Sequence, residues 1–130
     1  MDASQWRGSQ CGIVKSAHAV FRQDANWDKF WTLAIKPYLS RPRPTPSIDF
    51  TKNMVVGVFR GEKTVPGDII EIRSAKQEQL AGEPVVVVRY KNSSQMQPVF
   101  SPPFPVQPFH LKKIPVLPGR VVFMDTGKTQ

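Results

Sequence analysis

The chain has 130 residues, 40% of them hydrophobic, which suits one domain with a buried core and excludes disorder for the bulk of it. Thirteen prolines disfavour long helices and central strands and lean toward a β-rich fold with many loops. A net charge of +8 invites nucleic acid, but the basic residues are spread along the chain and no basic run exceeds the pair Lys112-Lys113.

No stretch of 18 apolar residues is present, so no membrane-spanning segment is expected. Cys11 is alone, which leaves no intrachain disulfide and no cysteine-rich zinc site. The start "MDASQW" lacks the basic end and apolar centre of a secretory signal, so an exported protein would need a leader absent from this chain.

In chain order, Gly12–Arg22 reads as a strand of small and β-branched residues. Trp27, Phe30, Trp31, Ala34 and Ile35 then recur on one helical face, with Asp24 or Asn26 placed to cap the start, Asp28 suited to the first turn and Pro37 to end it. Two Trp and a Phe at that spacing could form a ligand platform; the simpler reading is a stripe that docks the helix onto a sheet. Ser40–Ser47, "SRPRPTPS", has proline at every second position from Pro42 and reads as a stiff connector, although its Pro and Arg content would also suit an SH3-type partner.

Strands are predicted at Met54–Phe59, Asp68–Ala75, Pro84–Tyr90, Gln107–Ile114 and Arg120–Asp125. "VVVV" lacks alternation, as in a strand covered on both faces, whereas Ile70 and Ile72 alternate with Glu71 and Arg73. "LAGE" (Leu80–Glu83) is a short hairpin connection, and the five prolines between Pro98 and Pro108 mark an extended loop. The expectation is a single, mainly β domain: a small β-sandwich or partly open barrel of about six strands with one N-terminal α-helix packed on it. Residues 1–39 supply a strand and the Trp-rich helix, 40–47 the connector and 48–126 the β-rich core.

Catalytic chemistry finds no anchor. His18 and His110 are far apart and in no ligand pattern, and Cys11 has no Gly-rich oxyanion turn beside it. "GEKTVPG" lacks the order of a phosphate loop and precedes a strand. Glu62 and Glu71 could pair as acid and base, but charged residues beside a hairpin are ordinarily solvated. No enzyme activity, metal or cofactor is expected.

The segment "IDFTKNMVVGVFRGEKTVPGDIIEI", followed by "QPFHLKKIP" and "RVVF", resembles the PrcB-like domain of bacterial protease-complex subunits. The resemblance runs through Asp49-Phe50, Met54–Phe59, Gly61-Glu62-Lys63, Ile70-Glu71-Ile72 and Pro108-Phe109-His110, and "NWDKFW" is similar to the Trp-containing helix that often precedes that domain. Where the family has a Gly-Gly-Tyr turn, this chain has Pro66-Gly67-Asp68. The resemblance implies a non-catalytic accessory subunit of a periplasmic, cell-envelope or secreted protease complex, with no catalytic residues to carry over; a cytoplasmic location also fits the lone cysteine.

The function expected is therefore protein binding through loops or a strand edge. The candidate contacts are Glu62, Lys63, Val65 and Pro66 in one loop and Phe100, Phe104 and Val106 in the other, the two Phe serving otherwise as anchors of their loop. The turn also has a loose likeness to the loops of small β-sandwich protease inhibitors. The alternative is single-stranded nucleic-acid binding, for which Arg89, Lys91, Lys112, Lys113 and Arg120 would have to converge on one surface.

Overall fold

The computed structural model describes residues 4–64, 67–94 and 105–127. Its strands are β1 (Gln5–Gly8), β2 (Ala17–Phe21), β3 (Asn53–Phe59), β4 (Asp68–Leu80), β5 (Glu83–Ser94), β6 (Phe109–Pro115) and β7 (Arg120–Asp125), with helix α1 (Asp24–Phe30) between β2 and β3. They form a four-stranded sheet, β1-β6-β3-β2, and a three-stranded sheet, β4-β5-β7, and do not close into a barrel. The chain is mainly β with one helical segment, as its composition and patterning predict. All pairings are antiparallel except β5 with β7, which run parallel because the chain visits the other sheet as β6 between them.

Three layers result. One face of the four-stranded sheet meets the helical segment, with Phe21, Trp27, Trp31, Ile35, Val55, Phe59, Phe109 and Leu111 interleaved. The other face meets the second sheet through Met54, Val56, Val58, Ile70, Ile72, Val86, Val88 and Ile114. β3 sits inside its sheet and is covered on both sides, so each residue from Met54 to Phe59 is buried and the run needs no polar alternation. Gly57 sits in a filled spot there: a Cβ would stand 2.6 Å from Leu111 Cδ2, so that buried side chain would have to shift.

The Trp stripe docks the helix, as its spacing suggests. Trp27 and Trp31 are buried with ring centroids 5.7 Å apart, and their indole N–H groups donate to Pro46 O (2.9 Å) and Arg43 O (3.1 Å). Those two bonds fasten the Pro-rich connector across the helix, satisfying indole donors that burial would otherwise leave unpaired.

Several local expectations are corrected. The helical segment is not one uniform α-helix: α1 widens into a π turn over Trp31–Ile35 and then tightens into a 3-10 turn over Lys36–Tyr38. Pro37 cannot donate an N–H, and its ring crowds the carbonyl four residues back, so the α pattern cannot run through it. Gln23 occupies the N-cap position without a side-chain bond; Asp24 lies in the first turn, and Asp28 accepts from Thr45 in the connector.

The strand expected over Gly12–Arg22 forms only at Ala17–Phe21. Gly12 N–H is bonded to Ala34 O at 2.8 Å and Val14 O to Glu62 N–H at 2.9 Å, which pulls the preceding residues away from the ladder. β4 continues to Leu80, well past Ala75. Its polar half is the solvated arm of a long hairpin with β5, which itself runs on to Ser94, and a bulge between Ile72 and Ser74 resets the alternation so that Ala75 faces the core. β6 begins at Phe109, since Gln107 N–H turns aside to Ser9 O. Ala81 and Gly82 form the two-residue hairpin turn with φ of 53° and 83°, the paired left-handed conformation such turns need.

Candidate functional site

The register of the four-stranded sheet aligns Arg7, His110, Val58 and His18 in one row across β1, β6, β3 and β2, facing the second sheet. The polar members of the row grip that sheet. Arg7 reaches Glu71 (3.3 Å) and Ile70 O (3.4 Å) on β4. His18 stacks flat on Phe123 of β7, centroids 4.3 Å apart, with its Nε2 3.3 Å from the Tyr90 hydroxyl.

His110 lies in the middle, 2% exposed. Its Nδ1 accepts the Ile72 N–H at 2.9 Å, and its Nε2 is 2.7 Å from Gln5 Oε1. A ring that accepts at Nδ1 and donates at Nε2 is the neutral tautomer. Burial, followed by the nearby Arg7 and Lys112 charges, lowers its pKa to about 4, against an opposing pull from Glu71. Nδ1 thus joins the two sheets through Ile72, while Nε2 ties His110 to β1, the neighbouring strand of its own sheet.

Other charged groups sit in similar roles. Arg73, through a 2.8 Å bond, holds Glu71 below its ordinary carboxylate range, assisted by Arg7. Arg60 donates to Ile69 O (2.9 Å) and to Ser93 O, and lies 3.9 Å from Asp68, which accepts from Ser94, so that it fastens the open end of the long hairpin. Burial pushes the Cys11 thiol above its ordinary pKa.

The loop residues singled out in the sequence are tied to the fold where they are described. Lys63 and Val106 exchange backbone hydrogen bonds of 2.8 and 2.7 Å, and Glu62 accepts from Gln107 Nε2 at 2.8 Å. The two loops therefore brace each other. Glu62 is exposed and Lys63 half-buried, but the Val106 side chain is 2% exposed, which corrects its assignment to a contact surface. Val65, Pro66, Phe100 and Phe104 lie outside the described residues. Glu62 and Glu71 occupy separate ion-pair and hydrogen-bond networks.

The five basic residues do not form one surface. Strand alternation puts Arg89 and Lys91 of β5 with Arg120 of β7 on the outer face of the three-stranded sheet, where Arg89 is paired to Glu78. Lys112 and Lys113 belong to the other sheet and, as neighbours on β6, point to its opposite faces.

What the sequence reading missed is β1. Four residues of "QWRG" carry too little pattern to be recognised as a strand. Yet among the described residues β1 is an edge strand, bonded to β6 on one side only. Lys113 N–H donates to Ser4 O at 2.8 Å, so the hydrogen-bonded pairs fall on Ser4, Trp6 and Gly8; by antiparallel alternation, Gln5 and Arg7 turn their backbone N–H and C=O outward. Among the described residues no backbone group answers them.

Cavities open on both sides of that edge. One of about 460 Å³ is lined by Trp6, Trp31, Ile35 and Leu39 together with Arg41 and Arg43. A second, of about 260 Å³, lies toward the other sheet beside Arg7, Ser9 and Ile70. Arg41 and Arg43 are exposed and have no ion-pair partner among the described residues. The Pro-rich connector was the one signal available, since the indole bonds to Arg43 O and Pro46 O fix it beside the cavity.

Among the described residues, no helix is long and apolar enough to cross a membrane. No protein-family model, curated protein or solved structure matches the chain.

Proposed function

We propose that this chain is a non-catalytic protein-interaction module. The observation that carries the reading is the β1 edge, where Gln5 and Arg7 turn outward backbone groups that no backbone among the described residues answers, between two cavities. An unpaired strand edge is a template for another chain unless it is covered or blunted. The His110, Arg7 and Arg60 side chains, which a reacting site would draw on, are instead engaged in joining the sheets. The PrcB-like motif residues make an extracytoplasmic protease complex the first assembly in which to seek the partner. A protease-inhibiting loop would place the contact at Glu62 and Lys63. The nucleic-acid reading would rest on Arg89, Lys91 and Arg120 alone, because they share one face.

The test is site-specific photo-crosslinking, with a benzophenone side chain placed in turn at Gln5, Lys63 and Arg89 in extracts of the native organism. A protein adduct that is competed by unlabelled chain, and that re-forms stoichiometrically from purified partner, is the expected result. An oligonucleotide adduct at Arg89 that disappears steeply with salt would favour nucleic acid. No competed adduct at any position would overturn the proposal.

A further inference from the structure

We infer that the β1 edge binds an extended peptide by strand addition and selects a glutamate at the residue facing Trp6. This rests on the interaction-module reading and specifies its surface and ligand.

The backbone supplies the first argument. Gln5 and Arg7 each offer one donor and one acceptor outward, so an added strand would form up to four ladder bonds over three residues of β1. The bonded positions of the new strand lie opposite Gln5 and Arg7, and the residue between them lies opposite Trp6. Alternation then sends that middle side chain to the Trp6 face of the sheet, into the larger cavity, and its neighbours toward Arg7 and Ile70.

The cavity supplies the second. Its lining combines the apolar Trp6, Trp31, Ile35 and Leu39 with the cationic Arg41 and Arg43, and Gln5, Arg7 and Ser40 also border it. That pairing of apolar and cationic surfaces fits a side chain with an aliphatic stem and an anionic tip, which is glutamate; aspartate has one methylene fewer to lay on the apolar residues, and lysine would place its charge against guanidinium groups. Arg41 and Arg43 have no carboxylate partner among the described residues, so pairing with a ligand would break no existing ion pair. Arg7 differs, because it is already shared with Glu71 and Ile70 O.

The probe is a fluorescein-labelled pentapeptide, acetyl-Thr-Val-X-Val-Thr-amide, with X set to Glu, Gln or Lys, read by anisotropy at low salt and by amide shifts of the full chain. The Glu peptide should bind at least tenfold more tightly than the Lys peptide, shift the amides of Gln5 to Gly8, and lose binding when the peptide is N-methylated at its two Val residues. R41S combined with R43S should abolish the preference for Glu over Gln while leaving the far-UV spectrum unchanged.

Equal binding of the Glu and Lys peptides, or shifts confined to other strands, would overturn the inference. Should no peptide bind while the crosslinker at Lys63 or Arg89 still captures a protein, the inference falls and the module reading stands; if both tests are negative, both fall.

Discussion

His110 makes folding stability depend on pH in a calculable way. In the unfolded chain its imidazole titrates near the ordinary value of 6.5, whereas in the fold it titrates near 4. Between those values the unfolded chain binds the extra proton, so stability is complete above about pH 6.5, declines as pH falls through the window and bottoms out below about pH 4. The full difference corresponds to roughly 3 kcal/mol, of which about 2.5 kcal/mol is lost between pH 7 and pH 4.5. The geometry gives the cause, since protonated Nδ1 would point a second N–H at the Ile72 amide across 2.9 Å.

Urea unfolding of the wild type and of H110Q at pH 7.0 and pH 4.5 isolates this contribution, because Glu71, Glu78 and Asp49, all held below their ordinary values and losing their share as pH falls through the carboxylate range, are common to both proteins. His18 is also lowered by burial and acts in the same direction, but it is present in both proteins. At pH 7.0 H110Q should be less stable, having disturbed the acceptor of the Ile72 amide, and its stability should fall much less than that of the wild type on going to pH 4.5. Nitrogen shifts should report the Nε2–H tautomer at neutral pH. Parallel pH dependence in the two proteins, or a ring that titrates near 6.5, would refute the argument.

G57A should destabilise by about 1–3 kcal/mol in the same assay, since the added methyl meets Leu111 in a filled layer. A81N should raise stability by a few tenths of a kcal/mol up to about 1, because asparagine tolerates the positive φ at the hairpin turn better than alanine does. W27F removes the donor to Pro46 O and should cost about 1–3 kcal/mol by urea unfolding. Cys11 is buried with its thiolate disfavoured, so alkylation by iodoacetamide at pH 8 should be at least tenfold slower in the native protein than in 6 M urea; equal rates would contradict the burial.

Much of the fold was legible because its signals are local. The apolar run of β3, the alternating start of β4, the Trp stripe and the "LAGE" turn each express a backbone preference over fewer than a dozen residues. Burial of "MVVGVF" on both faces could likewise be anticipated from its lack of polar alternation; "VVVV" is buried too, but no layer among the described residues covers the outer face, where Val85 and Val87 lie beside Val122 and Met124 of the neighbouring strand. The interruption of the helix at Trp31–Ile35 was not legible, since periodicity registers which residues face the sheet but not how the turns widen to keep them there.

The candidate site was almost wholly hidden. β1 is too short to announce itself, and it becomes a strand only because β6, about a hundred residues away, pairs with it. Gln5 meets His110 across a separation of 105 residues, and the cavity gathers Trp6, Trp31 and Arg43 from three different segments. Composition and short-range pattern determined that this chain would make strands, one docked helix and tight turns, because those follow from side-chain periodicity and allowed dihedrals. Which strand is left at an edge, and which charges stand beside it, depends on the order in which distant strands pair, and only the folded chain decides that.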